Sequence, residues 1–307
     1  MWRVLGSIAV LMLAGATNAQ VAPPPPAVVA DPPPDAAHPA AMAYVRVPSH
    51  GALMNGVIYT ASGAGPHPTV LLLHGFPGNE QNLDLAQAIR RAGFNVLTLH
   101  YRGAWGSPGV FSFAHAIEDA DAAVAFLRDP ANAAKFGIDQ RKIYVAGHSM
   151  GGFMAASATA HDPGVAGLIM ISAWDIGVAG DSFHDPAARK AAADAEFNDD
   201  VIPLAGTSAD ALMDEAEAHA GDWDFAGWAA KLAPRPVLIV TSDDGSYADS
   251  HRLAQNLFKA GDGAAMEAHI PTDHPYSDHR IALETAVVGW LQGGMMTPVE
   301  SGAAPAR

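Results

Sequence analysis

Cysteine is absent from this sequence, which excludes a disulfide framework, a zinc–thiolate centre and a cysteine nucleophile. Basic residues are scarce. Seventeen Lys and Arg stand against 32 Asp and Glu, for a formal net charge of −15 with the histidines neutral. That balance offers little to a nucleic-acid backbone or an anionic membrane surface, so neither is expected as a partner. A membrane span is also missing from the expectation. The apolar run from Val4 to Ala14 falls well short of the roughly 20 residues a helix needs to cross a bilayer.

What is present is a chain of 307 residues, half of them hydrophobic, long enough to bury a core of one large α/β domain or two small ones. Arg3, the apolar run and the small residues at Thr17-Asn18-Ala19 have the form of a signal peptide over residues 1–19, which predicts cleavage before Gln20 and export to the periplasm or medium. Residues 20–42 contain "APPPPAVVADPPP" and read as a stiff, extended linker, because proline fixes φ and removes amide donors. The globular part is expected over residues 43–292, with a flexible tail at 293–307.

Within the globular part, short apolar runs alternate with helical periodicity. "TVLLLHG", "FNVLTLH", "KIYVAG", "VAGLIMIS", "PVLIVTS" and "AMEAHI" read as strands, and continuous apolar runs of this length suit strands covered on both faces. Helical stretches lie between them, including "AIEDADAAVAFLRDP", expected to close at Pro130. The pattern predicts a mostly parallel, doubly wound sheet with right-handed crossovers. "YVRVPSHGALMNGVIYT" reads as a hairpin at one edge. Residues 174–234 contain no convincing strand and are rich in Ala, Asp and Glu. Phe183, Phe197, Trp223 and Trp228 serve as candidate anchors there for a small helical cap.

One stretch asks for more than packing. "KIYVAG" runs directly into Gly147-His148-Ser149-Met150-Gly151 and then into helix-compatible residues. A strand that turns sharply into a helix forces its apex residue into a strained backbone conformation. The residues two positions to either side must then be very small, or strand and helix collide. Such a turn lifts the Ser149 hydroxyl above the carboxyl edge of the sheet and points the Met150 amide into the same space.

The pattern resembles the α/β-hydrolase superfamily, including its serine esterase and prolyl-oligopeptidase-like branches. "HGFPGN" (His74 to Asn79) follows an earlier strand, where that family carries a second oxyanion donor, which implies the Phe76 amide. "YRGAWGSPG" (Tyr101 to Gly109) is similar to the family's Arg-Gly-rich loop. The resemblance covers residues 43 to 292 and implies a nucleophile, acid and histidine in that chain order. The acid belongs just past "PVLIVTS", where Asp243 and Asp244 are adjacent. The family's acid usually stands three residues after a strand-ending glycine. Thr241 occupies that position here, which points to Asp244 and leaves Asp243 as the alternative. The base belongs in the loop after the last strand. There His274 fits, while His269 falls in the strand as a packing residue and His279 falls at the start of the final helix.

Asp273, His274, Asp278 and His279 are all of metal-ligating type, but their spacing does not match common zinc patterns. No metal or cofactor is expected. His148 reads as a packing neighbour of Ser149, and the His-Asp-Pro tripeptides at His161 and His184 as helix ends and turns. The reading is a serine hydrolase cleaving a carboxylic ester through an acyl-enzyme. Two alternatives stand beside it: an aminopeptidase or dipeptidyl-peptidase-like amide hydrolase, in which Glu215 or Glu217 would hold a substrate ammonium, and a non-catalytic binding member of the fold. The expected partner is a small ester or short peptide, and nothing in the sequence speaks to oligomeric state.

Overall fold

A computed structural model of the chain describes residues 23–261 and 265–293. The expected signal peptide at 1–19 and nearly all of the expected tail at 293–307 lie outside the described residues.

From the N-terminal side the elements are α1 (Pro26–Val29), β1 (Ala41–Ser49), β2 (Ala52–Thr60), β3 (His67–Leu73), α2 (Leu83–Arg91), β4 (Asn95–Leu99), α3 (Phe113–Arg128), α4 (Pro130–Phe136), β5 (Ile138–His148), α5 (Met150–His161) and β6 (Gly167–Ile171). After β6 come α6 (Ile176–Ser182), α7 (Pro186–Ala192), a π-helical turn at Ala193–Phe197, α8 (Asn198–Asp200), α9 (Ala209–Ala218), a 3₁₀ turn at Phe225–Trp228 and α10 (Ala229–Leu232). The chain then returns to the sheet with β7 (Val237–Thr241), α11 (Tyr247–Lys259), β8 (Ala265–His269) and α12 (Arg280–Leu291).

The eight strands form one sheet in the order β1-β2-β4-β3-β5-β6-β7-β8. β1 and β2 make the hairpin read from the sequence, joined at His50-Gly51, both with positive φ, as a two-residue hairpin turn demands. β2 runs antiparallel to β4, and every pairing from β4 to β8 is parallel. The sheet is therefore mostly parallel and mixed at one edge.

Alternation along each strand fills two layers. Val70 and Leu72 of β3 join Leu85 and Ile89 of α2 and Leu283 and Val287 of α12 on one face. Leu71 and Leu73 join Phe113 of α3, Phe136 of α4, Phe153 of α5 and Leu257 of α11 on the other. All residues of β4, β6 and β7 are buried, which is why these segments read as apolar runs, interrupted only by Asn95 and Thr98 in β4 and ended by Thr241 in β7.

α3 ends at Arg128, just before Pro130, as the sequence suggests, and Pro130 at once opens a further helix: Asp129 accepts hydrogen bonds from the amides of Ala131 (2.9 Å) and Asn132 (3.1 Å), and Pro130 takes the first turn of α4, where a missing N–H costs nothing. One local expectation fails: the proline-rich segment is not extended throughout. Pro26–Val29 closes a helical turn that buries Ala27 and Val28 in the layer with α2 and α12, and Arg91 Nε donates to the Ala27 carbonyl at 2.6 Å. Proline at the first turn again supports the helix, and two apolar side chains give it something to bury.

The helices between β6 and β7 pack onto the body. Phe183, Phe197 and Trp223 are buried, and Trp228 lies with its ring centroid 5.1 Å from that of Phe153. Residues 203–205 also lie along the loop after β4, where the Ala205 amide donates to Gly103 O (2.7 Å) and accepts through its carbonyl from Phe111 N (2.9 Å).

Candidate active site

Ser149 sits between β5 and α5 with φ 56° and ψ −124°, a conformation a non-glycine residue holds only when its surroundings enforce it. They do so here. The Ser149 amide donates to Ile171 O of β6 (2.9 Å), while its carbonyl accepts from Gly152 N (2.9 Å) and Trp174 N (3.1 Å). The flanking glycines are steric necessities. A Cβ on Gly147 would lie 1.9 Å from Gly151 O, and one on Gly151 would lie 2.2 Å from Leu73 O. Gly75 is similarly constrained, since its Cβ would stand 2.9 Å from Ser149 Cβ. The loop carrying Phe76 therefore passes directly against the serine. Ser149 keeps 9% exposure.

His274 lies in the loop between β8 and α12. Its Nδ1 is 2.6 Å from Asp244 Oδ2. A carboxylate accepts, so Nδ1 carries the proton and Nε2 presents a lone pair. The His274 carbonyl accepts from His148 Nε2 at 2.9 Å, and the two imidazoles stand 4.5 Å apart. Since His148 immediately precedes Ser149, this bond seats the histidine loop beside the turn. His148 is buried, which drives its pKa down to about 3. It is a neutral tether and cannot act as a second base.

Asp244 is all but enclosed, its side chain 4% exposed. Burial opposes its ionisation, but hydrogen bonds from His274, Ser246 and Ser172 outweigh that and hold the carboxyl well below its usual range. Ser246 contributes both its amide (2.9 Å) and its hydroxyl (2.7 Å). Asp243 turns elsewhere: its Oδ1 is 3.1 Å from His269 Nε2, and His269 Nδ1 is 3.0 Å from Thr241 Oγ1. His269 thus pairs with a carboxylate, where the sequence suggested packing alone. His279 Nδ1 meets its neighbour Asp278 at 2.7 Å, and Asp273 accepts from Ser277 N at 2.7 Å. The four residues of metal-ligating type are therefore spent in separate local contacts, and among the described residues no group of three or more His, Asp or Glu is disposed to hold an ion.

Sequence reasoning missed the supports of this arrangement. Ser172 and Tyr276 both have positive φ (41° and 58°). Ser172 Oγ lies 2.8 Å from Ser242 Oγ and 2.9 Å from Tyr276 Oη. Through Ser172 this buried hydroxyl cluster reaches Asp244, and through Tyr276 it reaches the histidine loop. Arg280 also holds that loop, donating to Pro275 O (2.8 Å), Asp84 Oδ2 (2.7 Å) and Asn82 Oδ1 (3.0 Å). The loop after β3 has its own clamp. His74 Nδ1 donates to Gly75 O (2.7 Å), and His74 Nε2 faces His100 Nδ1 at 3.2 Å. Tyr101 Oη donates to His74 O (3.2 Å), and Trp105 Nε1 to Pro77 O (2.8 Å). Burial lowers the His74 pKa to about 4, so the ring stays neutral and the peptide joining Gly75 to Phe76 is held through its carbonyl. No spacing in the sequence marks most of these partners, because they join residues from different strand ends.

Two cap carboxylates have structural partners. Glu215 accepts from the amides of Phe113 (2.8 Å) and Ala114 (3.1 Å), capping α3 from α9. Glu217 meets Arg189 Nη1 at 3.1 Å and His184 Nδ1 at 2.9 Å.

The arrangement matches a known family across most of its length. Residues 68–301 fit the alpha/beta hydrolase fold family. Among solved structures, the chain is similar to an esterase from Pyrobaculum calidifontis (20% identity, TM-score 0.61, covering 84% of this chain and 86% of that one). It is similar to the thermostable carboxylesterase EstE1 from a metagenomic library (22%, 0.60, 84% and 91%), and to Est1E from Butyrivibrio proteoclasticus (20%, 0.61, 81% and 98%). At these identities the likeness is one of fold. With a sharp serine turn at the carboxyl edge of a mostly parallel sheet, and the family pattern running through both, this chain belongs to the α/β-hydrolase fold family.

Proposed function

We propose that the chain is a serine hydrolase that cleaves carboxylic esters through an acyl-enzyme, with Ser149 as nucleophile, His274 as general base and Asp244 as the orienting acid. The observation that carries this reading is the His274–Asp244 hydrogen bond of 2.6 Å in a loop tethered to His148, the residue next to Ser149. The esterases among its structural relatives support it.

Chemistry follows from these positions. Ser149 Oγ attacks the ester carbonyl while His274 Nε2 takes its proton, and Asp244 stabilises the imidazolium that forms. The amides of Phe76 and Met150 donate to the developing oxyanion, an arrangement in which each donor is worth about 10²–10³ in rate. His274 passes its proton to the departing alcohol. Water then attacks the acyl-enzyme by the same route in reverse and frees the acid.

The aminopeptidase-like reading needs a free carboxylate to grip a substrate amine. Glu215 and Glu217, the cap carboxylates suited to that role, are engaged with the α3 amides and with Arg189 and His184. Ester hydrolysis requires no such grip. A fluorophosphonate probe, with the labelled peptide mapped by mass spectrometry, tests the reading. The expected result is a single adduct on Ser149, absent in Ser149→Ala together with hydrolysis of p-nitrophenyl acetate. Undiminished turnover by that variant would remove the serine mechanism, and an unlabelled, inactive wild type would favour a binding role. We propose also that residues 1–19 direct export, which N-terminal sequencing of the secreted protein would check at Gln20.

A further inference from the structure

Two aromatic residues are borne on backbone that touches Ser149. Phe76 follows Gly75, whose Cβ position lies 2.9 Å from Ser149 Cβ. The Trp174 amide donates to the Ser149 carbonyl. The two ring centroids are 6.3 Å apart. Phe113 of α3 bridges them from the body, at 5.8 Å from Phe76 and 5.6 Å from Trp174.

Phe197 bridges the same two rings from the cap, 5.4 Å from Phe76 and 6.0 Å from Trp174. Across α7, the π-helical turn and α8, Phe197 is the one buried side chain, at 2% exposure. Phe197 is thus the apolar anchor of this stretch, and it lies among the rings of Phe76 and Trp174. A π-helical turn inserts an extra residue into a helix and shifts the side chains that follow, a rare feature frequently found at functional sites. Here it ends on Phe197. Through Gly75 and the Trp174 amide the ring cluster is tied to the backbone around Ser149, the neighbourhood that the acyl portion of an ester has to enter.

Resting on the esterase reading above, we propose that Phe197 is the specificity-determining residue of the acyl site, closing the space between Phe76 and Trp174 so that the enzyme takes esters of short carboxylic acids and rejects longer acyl chains. The physical basis is volume. Each methylene beyond the available space must displace a packed ring, and close-packed aromatic groups yield only at substantial cost. Replacing the phenyl ring with a methyl group opens room for several methylenes, each worth roughly 10–200-fold in discrimination when a pocket accepts it.

The test compares kcat/KM for p-nitrophenyl acetate, butyrate and octanoate in wild type, Phe197→Ala and Phe197→Leu. Wild type is expected to prefer acetate strongly. Phe197→Ala should raise the octanoate-to-acetate ratio by at least about tenfold, with Phe197→Leu between the two. Leucine keeps the site filled, so it reads the effect even if alanine loosens the cap. A purely structural anchor would change all three esters in parallel and leave their ratios fixed, which would overturn the proposal. So would a wild type that hydrolyses octanoate as readily as acetate. Fluorophosphonate labelling separates the levels: a labelled, active wild type whose ratios ignore position 197 sinks this inference alone, whereas a wild type neither labelled nor active on any ester sinks the esterase reading and this one with it.

Discussion

His274 Nδ1 and Asp244 Oδ2 lie 2.6 Å apart although 30 positions separate them in the chain. The bond leaves Nε2 as the ring's free base. Asp244→Asn should therefore lower kcat on p-nitrophenyl acetate by about 10⁴, because an amide at this position favours the wrong tautomer. Asp243→Asn, which touches only the His269 contact, should change kcat by no more than a few-fold. Steady-state kinetics on the two variants check the ranking, and the reverse order would reassign the acid.

Gly147→Ala is expected to destabilise the fold by about 3 kcal/mol or to give insoluble protein, since its new methyl group meets backbone rather than a movable side chain. The contact would be 1.9 Å, with Gly151 O. Gly221→Ala, where a Cβ meets nothing within 4 Å, is the matched control and should melt at the wild-type temperature. Thermal unfolding of both variants settles the comparison.

Asp175, the N-cap of α6, predicts a pH effect on stability. Asp175 is buried, its side chain wholly inaccessible, and it shares the Arg252 guanidinium with Asp224 and Asp249. Burial first, and then these two neighbouring carboxylates, raises its pKa from 3.8 to about 8. A carboxyl whose folded pKa exceeds its unfolded one takes up a proton on folding. The stability it lends is therefore present below about pH 4 and is lost as pH rises through about 8. Asp175→Asn keeps an oxygen to accept from Gly177 N and Val178 N and cannot ionise. Its melting temperature should rise relative to wild type on going from pH 5 to pH 8.5. A constant difference across that range would show that Asp175 does not titrate there.

Tyr276→Phe removes one hydroxyl from the buried group around Ser172 and leaves that partner short of a hydrogen bond. The expected cost is about 1–3 kcal/mol in unfolding free energy. Because Tyr276 belongs to the histidine loop and Ser172 touches Asp244, kcat should fall as well while KM holds. Denaturant melts and steady-state kinetics on the same preparation test both parts. A change in stability with unaltered kcat would confine the hydroxyl to a structural role.

Glu215→Ala should lower stability by about 1–2 kcal/mol, the usual worth of a helix cap, since it deprives α3 of the acceptor for two amides. Its kcat/KM on aminoacyl p-nitroanilides should be no worse relative to esters than that of wild type. A selective loss on free-amine substrates would revive the peptidase reading.

The sequence by itself determined what depends on near neighbours. Gly147 is legible because the collision it avoids is with Gly151, four positions along the chain, and the strands are legible because burial on both faces leaves mainly apolar runs. Pro130 shows the limit even locally: the end of α3 before it is legible, but that the same proline opens α4 depends on the Asp129 cap. Tertiary structure alone decided which of two adjacent aspartates meets His274, because neighbouring side chains on a loop point in directions set by what packs around them. It alone brought Ser172 to Tyr276, 104 positions away, and Phe197 to the rings of Phe76 and Trp174. Periodicity carries information over a few residues along the chain, whereas these contacts exist only once parallel strand ends have been brought side by side.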